Sequence, residues 1–183
     1  MKKLFVLLFV AMLCMGAQAQ EKGDVAIGLR SGVNITKITI EGLDIEESET
    51  NFGIGAFGQY SLTDHWRLEL EGIYHPMKDH VSDITVGLNV HYLFSLGEAI
   101  KIYPSVGYAL AFVHSEAYTV TGKGGASQQI AHDSKNETDG GIQVGAGIQY
   151  NLGSNVFIAG EYKYQPGIFG DGHVIMGSIG FRF

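Results

Sequence analysis

Apolar and polar side chains alternate along most of the chain from residue 24 to residue 183. In eight segments every second residue is apolar, and the residues between are small, polar or charged. A period of two is the pattern of a β-strand whose two faces lie in different surroundings. The pattern therefore predicts an all-β protein with strands at 24–36, 51–62, 66–75, 83–94, 100–112, 141–152, 156–164 and 174–183.

The connections between the predicted strands differ in length at the two ends. Three of them are short turns, at 63–65, 95–99 and 153–155. The others are mostly longer and polar, at 37–50, 76–82, 113–139 and 165–173. Short periplasmic turns opposite longer extracellular loops are typical of barrels that span the bacterial outer membrane. The order of strands and connections predicts an eight-stranded antiparallel up-and-down transmembrane β-barrel.

Alternation alone does not say which face of a barrel is outside, because a secreted lipocalin-like barrel turns its apolar face inward. Three features favour an apolar outer face in lipid. The apolar faces carry no Asp, Glu, Lys or Arg. The opposite faces are rich in glycine, which leaves room inside a narrow bore. Aromatic residues also form two predicted belts at the strand ends, with Tyr60, Trp66, Tyr92, Phe94, Tyr150, Phe181 and Phe183 in one and Phe52, Tyr74, Phe112, Tyr162 and Tyr164 in the other.

The N-terminal residues 1–19 have the features of a secretory signal peptide. Two lysines precede an apolar run of about a dozen residues, and Ala17-Gln-Ala19 ends the segment. We predict cleavage after Ala19, which leaves residues 20–183 as one barrel domain. The single cysteine, Cys14, lies in the signal, so the mature chain offers no disulfide or thiol nucleophile. The net charge of −7 makes nucleic acid a poor partner.

With a signal peptide, eight alternating strands, short turns opposite long loops and a terminal Phe183, the chain resembles the small OmpA/OmpX/Opa-like outer-membrane barrels. Its ending, Ile179-Gly-Phe-Arg-Phe183, resembles the signal by which the outer-membrane assembly machinery recognises such barrels. The resemblance implies a monomer in the bacterial outer membrane, in contact with lipids and lipopolysaccharide. It also allows a host or surface ligand at the loops.

Nine ionisable residues fall on the faces predicted to point into the bore, namely Arg30, Arg67, Glu69, Glu71, His91, Lys101, Glu161, Lys163 and Arg182. Side chains fill the interior of an eight-stranded barrel, so these residues are expected to form a paired network that plugs it. A gated path of low conductance for water or ions is the alternative. The charges to test for it are Arg67, Glu69 and Glu71, with Lys163 or Arg182 opposite.

One segment raises the alternative of a barrel enzyme. His132-Asp-Ser134, followed by Glu137, resembles the His-x-Ser pair and the Glu of PagL-like lipid A deacylases. In such a site a histidine takes the proton of the serine and a carboxylate orients the histidine. However, Lys135 stands where that family has Asn, and the segment lies in a polar stretch before the sixth strand.

A second polar cluster, His75, Asp79, His80 and Asp83, has the residue types of a weak divalent-ion site, but we favour the interpretation that these are solvated loop side chains. We therefore predict no catalytic, cofactor-binding or metal-binding residues and no cofactor. The sequence indicates a non-enzymatic outer-membrane barrel that serves envelope integrity, surface interaction or both.

Overall fold

The computed structural model describes residues 22–40, 45–78, 81–115, 118–121, 129–132, 135–168 and 171–183. In this part of the chain the backbone forms eleven β-strands. They are β1 (Val25–Ile40), β2 (Ile45–Ser61), β3 (Trp66–Lys78), β4 (Val81–Tyr92), β5 (Phe94–Leu96), β6 (Ile100–Ser115), β7 (Tyr118–Thr121), β8 (Gln129–His132), β9 (Lys135–Asn151), β10 (Val156–Gln165) and β11 (Asp171–Arg182). Among the described residues, no helix is long and apolar enough to cross a membrane.

The strands close into an eight-stranded antiparallel barrel. Leu93 alone separates β4 from β5, and both pair with β6, so together they count as one strand of the barrel. The other seven strands of the barrel are β1, β2, β3, β6, β9, β10 and β11, each paired with its neighbours in chain order. The β1–β11 pairing, which runs from Ala26↔Arg182 to Lys37↔Asp171, closes the sheet. The predicted fold is confirmed, and β7 and β8 form a separate hairpin.

The apolar faces point outward and the polar faces line the bore. Leu29 on β1 is 64% exposed and Ile142 on β9 is 59% exposed, whereas Gln149 and His91 are fully buried. A water-soluble barrel would have the reverse arrangement, with its charged residues outside. The apolar wall is what a lipid environment requires. The prediction that the apolar faces point outward and the polar faces point inward is therefore confirmed.

Two glycines give space to large rings inside the narrow bore. A Cβ atom at Gly28 would collide with the ring of Phe57, and one at Gly180 would collide with Phe157. The two phenylalanine rings lie 6.2 Å apart and, with Ala26, form an apolar cluster near the short-turn end. The glycine-rich inner face therefore lets a few large side chains fill this end.

Aromatic contacts on the outer wall follow the predicted belt at the short-turn end. The ring of Tyr92 lies 4.9 Å from Trp66 and 4.8 Å from Phe94, and Phe181 lies 5.1 Å from Phe183, all edge to face. This geometry is favourable for aromatic pairs. Such a belt is expected where the wall meets the lipid headgroups.

All four of the longer connections predicted as loops are shorter than predicted because the strands continue into them, and β11, for example, begins at Asp171 rather than at residue 174. β1 extends to Ile40 and β2 begins at Ile45, so most of 37–50 is strand. The connection at 76–82 shrinks in the same way, and 113–139 contains the ends of β6 and β9 together with the β7–β8 hairpin. Where both faces of a strand meet water, side chains need not alternate, and the pattern used for prediction disappears.

The seam between β1 and β11 generates a prediction about residues Phe181–Phe183. The Phe183 N–H donates to the Val25 carbonyl at 2.8 Å, and Arg182 and Phe181 pair with Ala26 and Ile27. Deleting the three residues leaves the start of β1 with unpaired backbone groups, which lipid does not satisfy. We expect the amount of heat-modifiable barrel in the outer membrane, measured on unboiled gels, to fall several-fold. The conservative variant Phe183→Tyr is the control, and normal levels of the deletion protein would refute the role of this seam.

Candidate functional site

The centre of the bore holds a cluster of charged side chains from three strands. Alternate residues of a strand share one face, so Glu69 and Glu71 of β3 point inward together, as do Glu161 and Lys163 of β10. Arg30 reaches the same region from β1. All five side chains are at most 3% exposed. Closure of the barrel brings together residues that are far apart in sequence.

Arg30 and Lys163 bridge the carboxylates of the cluster. Arg30 binds Glu69 at 2.7 Å and also forms an ion pair with Glu71. The Lys163 Nζ lies 2.5 Å from Glu71 Oε1, and both cations lie 3.5 Å from Glu161 Oε2. Breaking a buried ion pair by removing one partner leaves an uncompensated charge, which is strongly destabilising. The cluster therefore acts as one unit.

Neutral amides extend the cluster along the bore. Asn89 donates to Glu71 Oε1 at 2.9 Å, Gln143 donates to Asn89 at 2.6 Å, and Gln165 donates to Gln143 at 2.7 Å. Gln59 donates to Glu69 Oε2 at 2.7 Å. Sequence reasoning considered charges and missed these amides as functional residues. Their inward positions in the alternating pattern were the signal that could have found them.

Towards the short-turn end, Arg67, His91 and Tyr103 form a second group. Arg67 donates to Gln149 Oε1 at 2.7 Å and contacts the His91 Nδ1 through two guanidinium nitrogens. The His91 and Tyr103 rings stack at 4.7 Å, and the Arg67 guanidinium lies 4.9 Å from the Tyr103 ring centre. A Cβ at Gly147 would collide with the Tyr103 ring, so this glycine makes the stack possible.

The nine ionisable residues predicted to face the bore are all buried, so their placement is confirmed. Lys163 lies opposite Glu71, as predicted. Arg182 does not reach the glutamates, because it lies near the end of β11 and approaches Asp24 at 3.8 Å instead. The predicted paired network is therefore real, but Arg182 belongs to the short-turn end of the bore.

The second polar cluster is not a loop. His75 and Asp83 face each other across β3 and β4, and the His75 Nδ1 lies 2.6 Å from Asp83 Oδ2. His75 is buried, and Thr85 also donates to Asp83, at 3.3 Å. Asp79 and His80 lie outside the described residues. The two placed members thus form a cross-strand pair inside the bore.

The candidate enzyme residues are placed only in part. His132 ends β8, while its side chain and Ser134 lie outside the described residues. Glu137 lies on β9, is exposed, and sits opposite Val113 of β6. Its neighbour Asn136 is within 2.7 Å of the ring of His114, an exposed residue at the rim. The hypothesis of a lipid A hydrolase stays a prediction.

The sequence matches the family model for the outer membrane protein beta-barrel domain over residues 5–183. The chain belongs to this family. Its members' barrels lie in the outer membrane, which is also where an apolar wall and a polar bore place this chain. No protein of curated function matches the sequence.

Solved outer-membrane barrels are similar to this chain in fold. The N-terminal barrel domain of Pseudomonas aeruginosa OprF is 18% identical, with a TM-score of 0.58, over 90% of this chain and 100% of that domain. Neisserial surface protein A is 15% identical, with a TM-score of 0.56, over 88% of this chain and 96% of that protein's chain. The attachment invasion locus protein Ail of Yersinia pestis is 15% identical, with a TM-score of 0.53, over 88% of this chain and 99% of the Ail chain. A further structure of Ail contains the heparin analogue sucrose octasulfate.

The charge cluster predicts a large effect of Lys163→Met. This change removes the partner 2.5 Å from Glu71 and leaves a buried carboxylate less compensated. We expect the free energy of unfolding to fall by about 3–5 kcal/mol, measured by urea titration of the barrel in detergent micelles. Lys22→Met, at an exposed lysine before β1, is the matched control. Equal stability of the two variants would show that the cluster is not the stabilising unit described above.

Proposed function

We propose that this protein is a non-enzymatic outer-membrane barrel that contacts partner proteins at the cell surface and contributes to envelope integrity. The apolar wall holds it in lipid, and the plugged bore makes the exposed ends its functional surface. We further propose that the assembly machinery recognises the strand ending in Phe183.

Two strands, β2 and β9, continue past the ends of their ladders with β3 and β10, and they carry the proposal of surface interaction. The β2–β3 ladder ends at Ile54↔Tyr74, yet β1 and β2 stay paired as far as Ile40↔Ile45. Similarly, the β9–β10 ladder ends at Val144↔Tyr164, while β6 and β9 stay paired as far as Ser115↔Lys135. Each of β2 and β9 thus runs nine residues, about 30 Å, past one neighbour, while β1 stays paired with β11 as far as Lys37 and β6 with β4 as far as Ser115. Both extensions lie at the end opposite the short turns, which is the extracellular end in such barrels.

The extensions suit recognition of a protein by strand addition. The ladder of β2 with β3 ends at Ile54 and the ladder of β9 with β10 ends at Val144, so beyond these residues each strand continues with one edge turned away from its hairpin partner. An edge of this kind presents backbone donors and acceptors to an incoming strand. Polar and charged residues dominate both segments, which suits an edge kept soluble until it meets its partner.

The charge of the β2 extension argues for a protein partner rather than a sulfated glycan. Residues 45–49 include three glutamates, Glu46, Glu47 and Glu49. Ail was crystallised with a heparin analogue, but an acidic hairpin would repel such a polyanion. A partner that offers a strand with basic side chains fits this edge better.

The surface role predicts that shortening the β1–β2 hairpin removes binding without removing the barrel. In the variant, residues 38–47 are deleted and Lys37 is joined to Ser48 by Asn-Gly, a pair suited to a two-residue hairpin turn. Adherence of cells to immobilised serum and extracellular-matrix proteins is compared, at equal amounts of heat-modifiable barrel. We expect adherence to fall to the level of cells that lack the protein.

The matched control is an equivalent Asn-Gly replacement of Thr63-Asp64-His65, the short turn at the opposite end, which should leave adherence unchanged. Equal adherence of cells with the shortened and the complete hairpin would count against the surface role.

The two alternatives are a lipid A hydrolase and a pore of low conductance. The charged and amide side chains that fill the bore speak against an open passage.

For the hydrolase, the double variant His132→Ala/Ser134→Ala removes the proposed base and nucleophile. We expect mass spectra of lipid A to be the same in cells that overexpress the native protein, the variant or neither. Loss of an acyl chain only in cells with the native protein would establish the enzyme instead.

A further inference from the structure

Three buried polar atoms converge at the junction between the two groups of the bore. His91 Nε2 lies 3.9 Å from Glu69 Oε1 and 3.8 Å from Glu161 Oε1. All three residues are at most 5% exposed. Within the described part of the chain, none of these atoms has a hydrogen-bond partner. Buried polar atoms are rarely left in this state, because the desolvation cost of each is large.

Arg67 determines which nitrogen of His91 carries the proton. Its Nε and Nη2 atoms lie 3.2 Å and 2.9 Å from the His91 Nδ1. A guanidinium only donates hydrogen bonds, so Nδ1 must accept them and the ring is neutral. The proton is therefore on Nε2, and the two carboxylate oxygens lie near this nitrogen. At 3.8 Å and 3.9 Å the oxygens are too distant for direct hydrogen bonds.

We propose that one water molecule is bound between His91, Glu69 and Glu161. The water accepts the Nε2–H of His91 and donates its two protons to Glu69 Oε1 and Glu161 Oε1. The three atoms all lie within 4.8 Å of one another, so an oxygen at about 2.8 Å from each of them fits their spacing. Three hydrogen bonds are the usual number for a buried water molecule. The site satisfies one donor and two acceptors at once.

A divalent cation is the other occupant that this site could hold, because one histidine and two carboxylates are common metal ligands. Two features of this site exclude that occupant. The Nε2 atom has no free lone pair while Arg67 holds Nδ1 as the acceptor. The charges of the two groups together are also balanced, since Arg30, Arg67 and Lys163 match three glutamates, and two more positive charges would be uncompensated in the interior.

The bound water joins the two groups into one network along the bore. On one side it reaches Arg67 and Gln149 through His91, and Gln149 donates to Asn151 at 2.9 Å near the short-turn end. On the other side it reaches the glutamates, from which the amides lead to Gln165. The interior is thus hydrogen-bonded from end to end through a water molecule, with side chains rather than a continuous water column filling it.

The test uses the full-length mature barrel in detergent micelles, with histidines labelled with ¹⁵N. We expect His91 to show the neutral Nε2–H tautomer, and a magnetisation-transfer peak between this N–H and a long-lived water molecule. Zinc chloride should leave the His91 signals unchanged, whereas the exposed His65 serves as an internal control for non-specific zinc effects. The Nδ1–H tautomer, a missing water peak, or a zinc-dependent shift confined to His91 would each overturn the proposal.

A variant supplies a second measurement. Glu161→Ala removes one acceptor, and the water peak of His91 should be lost while the His65 signals stay in place. If the variant does not fold, a high-resolution crystal structure of the native barrel decides the matter. A density peak at hydrogen-bond distance from all three atoms, without anomalous signal, supports the water, and a dry site or a metal peak refutes it.

Discussion

A barrel of eight strands in lipid has one interior place for charged side chains, a bore so narrow that side chains fill it. Every charge placed there must be compensated within a few ångströms, because neither lipid nor bulk water reaches it. At the centre, Arg30 and Lys163 compensate the three glutamates, and Arg30 contacts all three of them. The strands β1, β3 and β10 are therefore held together by this cluster as well as by the backbone ladders.

The same constraint separates the parts of the molecule by role. The wall must be apolar and the centre must be neutral, so neither is free to vary for recognition. A strand that continues past its neighbour at the end opposite the short turns is bound by neither condition, and there β2 and β9 continue with mainly polar residues at 45–53 and 135–143. These extensions are therefore the part of the structure best suited to the proposed surface function. Loops of the same protein that stayed level with the wall would offer far less backbone to a partner.

The sequence was sufficient for the barrel and for the direction of each side chain, because lipid outside and a polar bore inside impose a strict period of two. Which charges meet across the bore was harder to predict. Arg30 contacts Glu71, while Arg182 contacts Asp24, and this difference depends on the height of each residue in the closed barrel. The pattern along one strand contains no such information. The extensions beyond the membrane were missed for the opposite reason, since nothing there enforces alternation.

The amides explain why the plug is a network rather than a set of ion pairs. A glutamate such as Glu71 has more lone pairs than two cations can occupy, and in the bore water is not available in bulk to satisfy the remainder. Asn89 and Gln143 donate to the same Oε1 atom, and their own oxygens accept in turn from Gln143 and Gln165. The neutral amides thus supply the remaining hydrogen bonds, to Glu71 and to one another along the barrel, without altering the charge balance. An inward Asn or Gln is consequently as much a part of the plug as an inward Arg, and replacing it with an apolar residue would leave a charged oxygen short of a donor.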